Sequence, residues 1–189
     1  MSPTRLLLGP NVQLTECTVA DLPTIAGWQR DDAFLRLYDA RPAYPRGEAA
    51  LSDWLAETTR SSTTFVFAIR LNDQAQSSAS TPIGLLELDG ILWTHQVGWL
   101  SIAIGAAEHR GRGYGAEALR LALAFAFQEL NLYRVQLTVF AYNIWAIALY
   151  ERLGFQREGV YREFVHRDGQ RFDMYLYGLL RAQWQGCPV

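Results

Sequence analysis

The ten residues Glu108-His-Arg-Gly-Arg-Gly-Tyr-Gly-Ala-Glu117 carry the most chemistry in the chain. Gly111, Gly113 and Gly115 alternate, so the backbone can approach a ligand there with no Cβ in between. The stretch lies between an apolar run, Val97–Ile104, and an amphipathic one, Glu117–Leu130. A helix that starts here offers unpaired N–H groups and a partial positive charge. Arg110 and Arg112 add full charges. Together these features suit an anion, a phosphate or a pyrophosphate. A tight turn with two solvated arginines is the plain alternative.

Several ligand classes fall away on the same residues. The Walker pattern GxxxxGK[ST] is absent. Gly111-x-Gly113-x-x-Ala116 formally satisfies the dinucleotide fingerprint, but that fingerprint also needs an acid about 20 positions on. The strand end there reads Thr138-Val-Phe-Ala-Tyr-Asn143, with neither Asp nor Glu. His95, His109 and His166 have no partners at metal-ligand spacing, and His109 is expected at the loop surface. No metal site is expected. No nucleophile elbow supports a Ser-His-Asp triad. Cys17 and Cys187 are too few for a disulfide framework or a Cys-based zinc site, and read as unlinked thiols of a reducing compartment. With 17 basic against 19 acidic residues, the net charge of −2 argues against a nucleic-acid binder built on Arg-Gly-Arg-Gly-Tyr. The longest apolar stretch, Leu119 to Phe127, is broken by Arg120 and falls short of the ~20 residues a bilayer needs. The N-terminus lacks a signal-peptide core. A soluble, cytoplasmic protein without a membrane partner is expected.

The elements that must position the loop follow from periodicity. At 189 residues the chain reads as one domain with a well-filled core, half of its residues being hydrophobic. Val12–Glu16 alternates as a short strand. Asp21 offers an N-cap and Pro23 a first-turn residue for a helix to about Arg30. Tyr38–Gly47 is a loop with two prolines, and Glu48–Thr59 an amphipathic helix. Thr64–Arg70 and Ile83–Leu88 are strands, joined by a polar hairpin loop over Asn72–Thr81. Val97–Ile104 is apolar on both faces, as a covered central strand would be. Glu117–Leu130 is a helix, Tyr133–Phe140 a strand, and Asn143–Leu153 a helix stopped by Gly154. Phe155–Val165 and Phe172–Leu180 are strands, with Asp168-Gly169 as their hairpin turn.

Arg110-Gly-Arg-Gly113-Tyr-Gly115 resembles the Arg/Gln-x-x-Gly-x-Gly/Ala signature of the GNAT N-acetyltransferases, which bind acetyl-coenzyme A. Asn143 with Leu149-Tyr150-Glu-Arg-Leu-Gly-Phe155 resembles the family's second signature. Gly159-x-x-Arg162-Glu163 and Asp168-Gly through Asp173 are similar to its branch of ribosomal-protein N-terminal acetyltransferases and spermidine acetyltransferases. The likeness is dense from about Val97 to Leu180, and over the first 80 residues agrees only in element order. It implies an α/β (α+β) fold: one mixed, mostly antiparallel sheet flanked by helices, a single domain over residues 1–189. It implies acetyl transfer from acetyl-CoA to a primary amine, of a polyamine, a protein N-terminus or a small molecule. The transfer would be direct, with no acyl-enzyme. A non-catalytic acyl-CoA-binding module on the same fold is the other reading. A second copy of the chain is left open as a partner.

The resemblance also assigns residues. The backbone from Arg110 through Gly111, Arg112, Gly113 and Tyr114 to Gly115 would hold the pyrophosphate, and Ile102 and Ile104 would pair with the pantetheine arm. Tyr150 would be the general acid for the departing thiolate. Asn143 lies seven residues before it, two helical turns, on the same face. An ordinary aromatic at 150 and a plain N-cap at 143 compete with those roles. The strand acid that serves as base in the ribosomal-protein branch is missing from Val97–Ile104, leaving Glu87, Asp89 or a water on Ser101 as candidates, or no dedicated base. The acceptor would lie between 31–44 and 160–166. There Asp31, Asp32, Asp39 and Glu163 would attract a cationic amine, and Tyr38 and Tyr44 would flank it. A solvated loop competes with that reading.

Overall fold

The computed structural model describes residues 6–72 and 81–186. In chain order the elements are β1 (Val12–Glu16), α1 (Leu22–Trp28), α2 (Asp32–Tyr38), α3 (Glu48–Arg60), β2 (Phe65–Leu71), β3 (Gly84–Leu92) and β4 (Val97–Ile104). They continue with α4 (Tyr114–Ala124), β5 (Arg134–Phe140), α5 (Ile144–Arg152), β6 (Gln156–Arg167) and β7 (Gln170–Leu180). The seven strands form one mixed sheet in the order β1-β2-β3-β4-β5-β7-β6. Every neighbouring pair is antiparallel except β4–β5. That exception is forced, because α4 carries the chain from the end of β4 back to the start of β5.

Each face of the sheet buries apolar helix stripes. Leu119, Leu123 and Phe127 of the α4 segment pack with Leu86, Leu88, Leu100, Val135, Leu137 and Tyr177. On the opposite face Leu22, Ile25, Leu51 and Leu55 of α1 and α3 pack with Ala68 and Leu85. The α4 segment ends in a wider π turn over Phe125–Glu129.

Three local readings hold and three change. Asn143 caps α5, its side chain accepting from the Ala146 N–H at 3.2 Å. Gly154 follows that helix at φ +93°, and Asp168 and Gly169 turn the β6–β7 hairpin at φ +50° and +74°. Both of those turns require the left-handed region. Asp21 stands at the N-cap position of α1, but its side chain makes no cap bond there: the carboxylate is buried, accepts from the Thr18 N–H and hydroxyl, and pairs with Arg70 at 2.8 Å. Residues 32–38, read as loop, form helix α2, capped by Asp31 through the Phe34 N–H. Strand β4 is covered less than its composition suggests, for Ser101 to Ile104 are only half-buried. The loop expected over Asn72–Thr81 lies almost entirely outside the described residues, as does Cys187. Cys17 is a buried free thiol.

Candidate active site

The half-burial of β4 has a cause in its pairing. β4 and β5 stay in register for three residue pairs, Val97–Arg134, Gly98–Val135 and Trp99–Gln136. Beyond them β4 continues against β3 to Ile104, and β5 continues against β7 to Phe140. The two strands therefore part toward their C-terminal ends, where ligands enter open α/β sheets. Residues 100–104 of β4, Ile102 and Ile104 among them, have β3 on one side and, among the described residues, no strand on the other.

The glycine loop sits at the wide end of this cleft. A methyl built on Gly115 would lie 3.7 Å from Ile104 Cγ1 and 4.0 Å from Leu149 Cδ2, so the start of α4 lies between β4 and α5. Gly111 and Gly113 adopt φ +73° and +87°, and a Cβ on either would meet nothing within 4 Å. These two glycines thus answer to backbone shape and to open space in front of it, not to a neighbouring side chain. The first intrahelical bond of α4 runs from the Glu117 N–H to Gly113 O. Among the described residues the N–H groups of Gly111 to Ala116 reach no protein acceptor. That row of donors, with the free guanidinium of Arg112 beside it, is a cradle for a pyrophosphate.

Arg110 does something else. Its N–H donates to Ala107 O, and its guanidinium turns back, donating to Ile104 O and Gly105 O at 2.9 Å each. The same group lies 3.7 Å from the Asp31 carboxylate and 5.6 Å from the centre of the Phe34 ring. Arg110 therefore braces the loop against the end of β4 and against α2. His109, expected at the surface, is about 22% exposed, with Nδ1 buried and the ring 6.0 Å from that of Tyr114.

Tyr150 lies on α5 in the α4-side core, its ring edge-on to Phe155 at 5.9 Å. Its hydroxyl makes no hydrogen bond among the described residues. Burial alone pushes the phenol up to about 12, so it keeps its proton throughout the neutral range. Glu87 lies on the other face. It shares a side of β3 with Leu85, stands opposite Ser101 of β4, and accepts from the Tyr38 hydroxyl at 2.8 Å. Desolvation raises its carboxyl above the usual range, and the Tyr38 hydrogen bond works against that rise. Desolvation likewise raises Asp89, two residues on. A phenol that holds its proton and a carboxyl shifted toward neutrality thus lie on opposite faces of the sheet.

The remaining acceptor-side candidates do not converge. Asp39 is engaged by Arg41, whose hydrogen bonds more than reverse the rise that burial would cause. Asp31 caps α2, Asp32 is exposed, and Tyr44 is 76% exposed. Glu163 lies exposed on β6 at φ +52°, its N–H held by Asp173. A cavity of about 10 Å³ beside Tyr38, Trp28 and Arg46 has room for one water at most, whereas a larger one of about 720 Å³ lies past the end of β4, between Trp28 and Asp31 on one side and Gly105 to His109 on the other. No sequence signal marked Tyr142 or Arg167, which hold α2 from more than 100 residues away.

The model of the acetyltransferase (GNAT) domain family matches residues 11–156. The chain belongs to the GNAT acetyltransferase family. Within it, a prophage-derived uncharacterized N-acetyltransferase of Bacillus subtilis, YokL, is 26% identical over 156 residues, 82% of each chain. The spermidine N(1)-acetyltransferase of Vibrio cholerae is 34% identical over 102 residues, 54% of this GNAT chain and 58% of that one. Several of the curated relatives match over only about half their length. The crystal structure of the Vibrio cholerae spermidine N-acetyltransferase in complex with CoA and spermine superposes with a TM-score of 0.82 at 25% identity, covering 93% of this chain and 98% of that one.

Proposed function

We propose that this chain is an acetyl-CoA-dependent N-acetyltransferase that acts on a primary amine of a cationic acceptor. The observation that carries the reading is the cleft where β4 leaves β5, closed at its wide end by six unpaired backbone donors. The N–H groups of Gly111 to Ala116 and the Arg112 guanidinium hold the pyrophosphate. The freed edge of β4 at Ile102 and Ile104 takes the pantetheine arm as a further strand, and Asn143 fixes the start of α5. The acceptor nitrogen attacks the thioester carbonyl, a C–N bond forms and the C–S bond breaks. Glu87 takes the proton that the ammonium loses before it attacks, the Tyr150 hydroxyl gives one to the departing thiolate, and the second proton that the nitrogen sheds on becoming an amide restores the phenol. Holding the reactants in line supplies the rest of the acceleration.

A cationic acceptor is supported by the spermine in the Vibrio cholerae structure and by half-buried Asp89, which carries no cation of its own among the described residues. The whole chain acts as one catalytic domain, and its place is the cytoplasm, where acetyl-CoA and a reduced Cys17 coexist.

The test is release of CoA thiol from acetyl-CoA with a panel of spermidine, spermine, alkylamines and N-terminal peptides. All 17 basic residues are arginine, so the protein offers no lysine amine of its own to blur the assay. At about 100 Kd, acetyl-CoA should also stabilise the fold by about 2.7 kcal/mol. A melting curve that does not move in millimolar acetyl-CoA sinks the reading. Tight binding without turnover of any amine leaves the acyl-CoA-binding module instead.

A further inference from the structure

Helix α2 spans the wide end of the cleft and is tied to both of its walls. On the β4 side Arg110 reaches Asp31 and Phe34, as described above. On the β5 side the Tyr142 hydroxyl donates to Arg36 O at 2.8 Å, and the Arg36 guanidinium pairs with Asp168 of the β6–β7 turn. Next to Asp168, Arg167 ends β6. Its Nη2 donates to the carbonyls of Asp39, Ala40 and Arg41 at 3.1, 3.3 and 3.0 Å. Those carbonyls follow directly on Tyr38, whose hydroxyl is the hydrogen-bond partner of Glu87.

We infer that Arg167 is a positioning residue for the proton-accepting side of the reaction, holding Tyr38 on Glu87 by gripping the three carbonyls behind it. The inference rests on the reading of Glu87 given under the proposed function. Residues 39–47 have no regular structure between α2 and α3. Among the described residues, every hydrogen bond that reaches them from outside those two helices comes from Arg167. A charged donor shared by three carbonyls in a row fixes the backbone more firmly than a neutral one would. Segment 39–47 also carries Arg41 and Arg46.

The groups that face Glu87 are few. Tyr38 comes from α2, Arg41 and Arg46 from the segment after it, Asp89 from β3 itself, and the Cys17 thiol from the end of β1. Tyr38, Arg46 and Arg41 favour the ionised carboxylate, whereas burial and Asp89 oppose it. All three favourable groups ride on the backbone that Arg167 anchors. Release of the anchor withdraws them together, and the Glu87 carboxyl then titrates at higher pH.

The experiment follows the Glu87 carboxyl directly, by carbon NMR titration of the full-length protein, and in parallel the pH dependence of kcat with the best amine of the panel. Arg167→Met is expected to move the Glu87 titration up by about one pH unit and to carry the acid limb of kcat with it. The KM for acetyl-CoA should stay where it is. Tyr38→Phe, which removes one of the three groups, should give a smaller shift, and the double variant no more than Arg167→Met alone. Arg167→Lys keeps the charge but not the fork; it should fall between, and it repeats the test if Arg167→Met does not fold. An unmoved Glu87 titration, or shifts that add in the double variant, overturns the inference. A moved titration with an unmoved acid limb of kcat removes Glu87 from the reaction, and the positioning role goes with it.

Discussion

Replacing Tyr150 by Phe removes one hydroxyl and leaves the ring in place against Phe155. That hydroxyl has no hydrogen-bond partner among the described residues, so the change breaks no bond within the protein and should cost little stability at neutral pH. Its effect on turnover should be large. Loss of a positioned acid lowers rates about 10²–10⁴-fold, so kcat should fall within that range at unchanged affinity for acetyl-CoA. The structure adds an independent measure. Burial lifts the phenol from its ordinary value near 10 to about 12, a difference that corresponds to about 2.7 kcal/mol. The unfolded chain ionises Tyr150 above pH 10 while the folded one does not until about 12. The folded state therefore loses that stability as pH rises between the two values, and keeps all of it below. At pH 11 the wild type should have lost about 1.4 kcal/mol that the Phe variant retains, readable from urea unfolding of both at pH 8 and pH 11. No alkaline fall in kcat should come from Tyr150 below about pH 11. Wild-type turnover in the Phe variant would falsify the role of Tyr150 as acid. Identical loss of stability in both proteins at pH 11 would show that its hydroxyl is solvated.

Two other substitutions probe the frame. Gly113→Val puts a branched side chain at φ +87°, into the open space before the loop. It should abolish acetyl-CoA binding in calorimetry with the fold retained, and retained affinity would mark the loop as a mere turn. Asp21→Ala removes the carboxylate that faces buried Arg70, and should cost about 3–5 kcal/mol in urea unfolding. A loss below 1 kcal/mol would mean that Arg70 is satisfied by its other contacts, Thr15 among them.

What the sequence made legible was mostly local. The alternating glycines, Gly154 after α5, Asn143 at its start and the Asp168-Gly169 turn each act over a few residues, so residue type and spacing reveal them. Helix α2 escaped because seven residues give too little periodicity, and its two buried side chains, Phe34 and Leu35, are adjacent rather than a turn apart. The misreading of Asp21 has the same origin as the silence over Arg167. Asp21 looks like a cap until Arg70, 49 residues away, is seen to claim it. Arg110 looked like a phosphate ligand because its charge is plain in sequence, while the carbonyls that occupy it are not. The Tyr38–Glu87 hydrogen bond joins α2 to β3 with no trace in either segment. Polar pairings across the fold depend on which backbone comes near, and composition does not encode that.

The parting of β4 from β5 also divides the chain by origin. Strands β1 to β4 stand side by side in the order in which they are synthesised, and β5, β7 and β6 form a second ladder from the last third of the chain. Apart from the three residue pairs of the parallel junction, no ladder bond among the described residues crosses from one set to the other. The two sets nonetheless share one core, Leu86, Leu88 and Leu100 of the first packing in one cluster with Val135, Leu137 and Tyr177 of the second. The junction needs the whole of α4 in place before it gains anything. The seam along which β4 and β5 part is therefore also the seam between the first four strands of the chain and the last three.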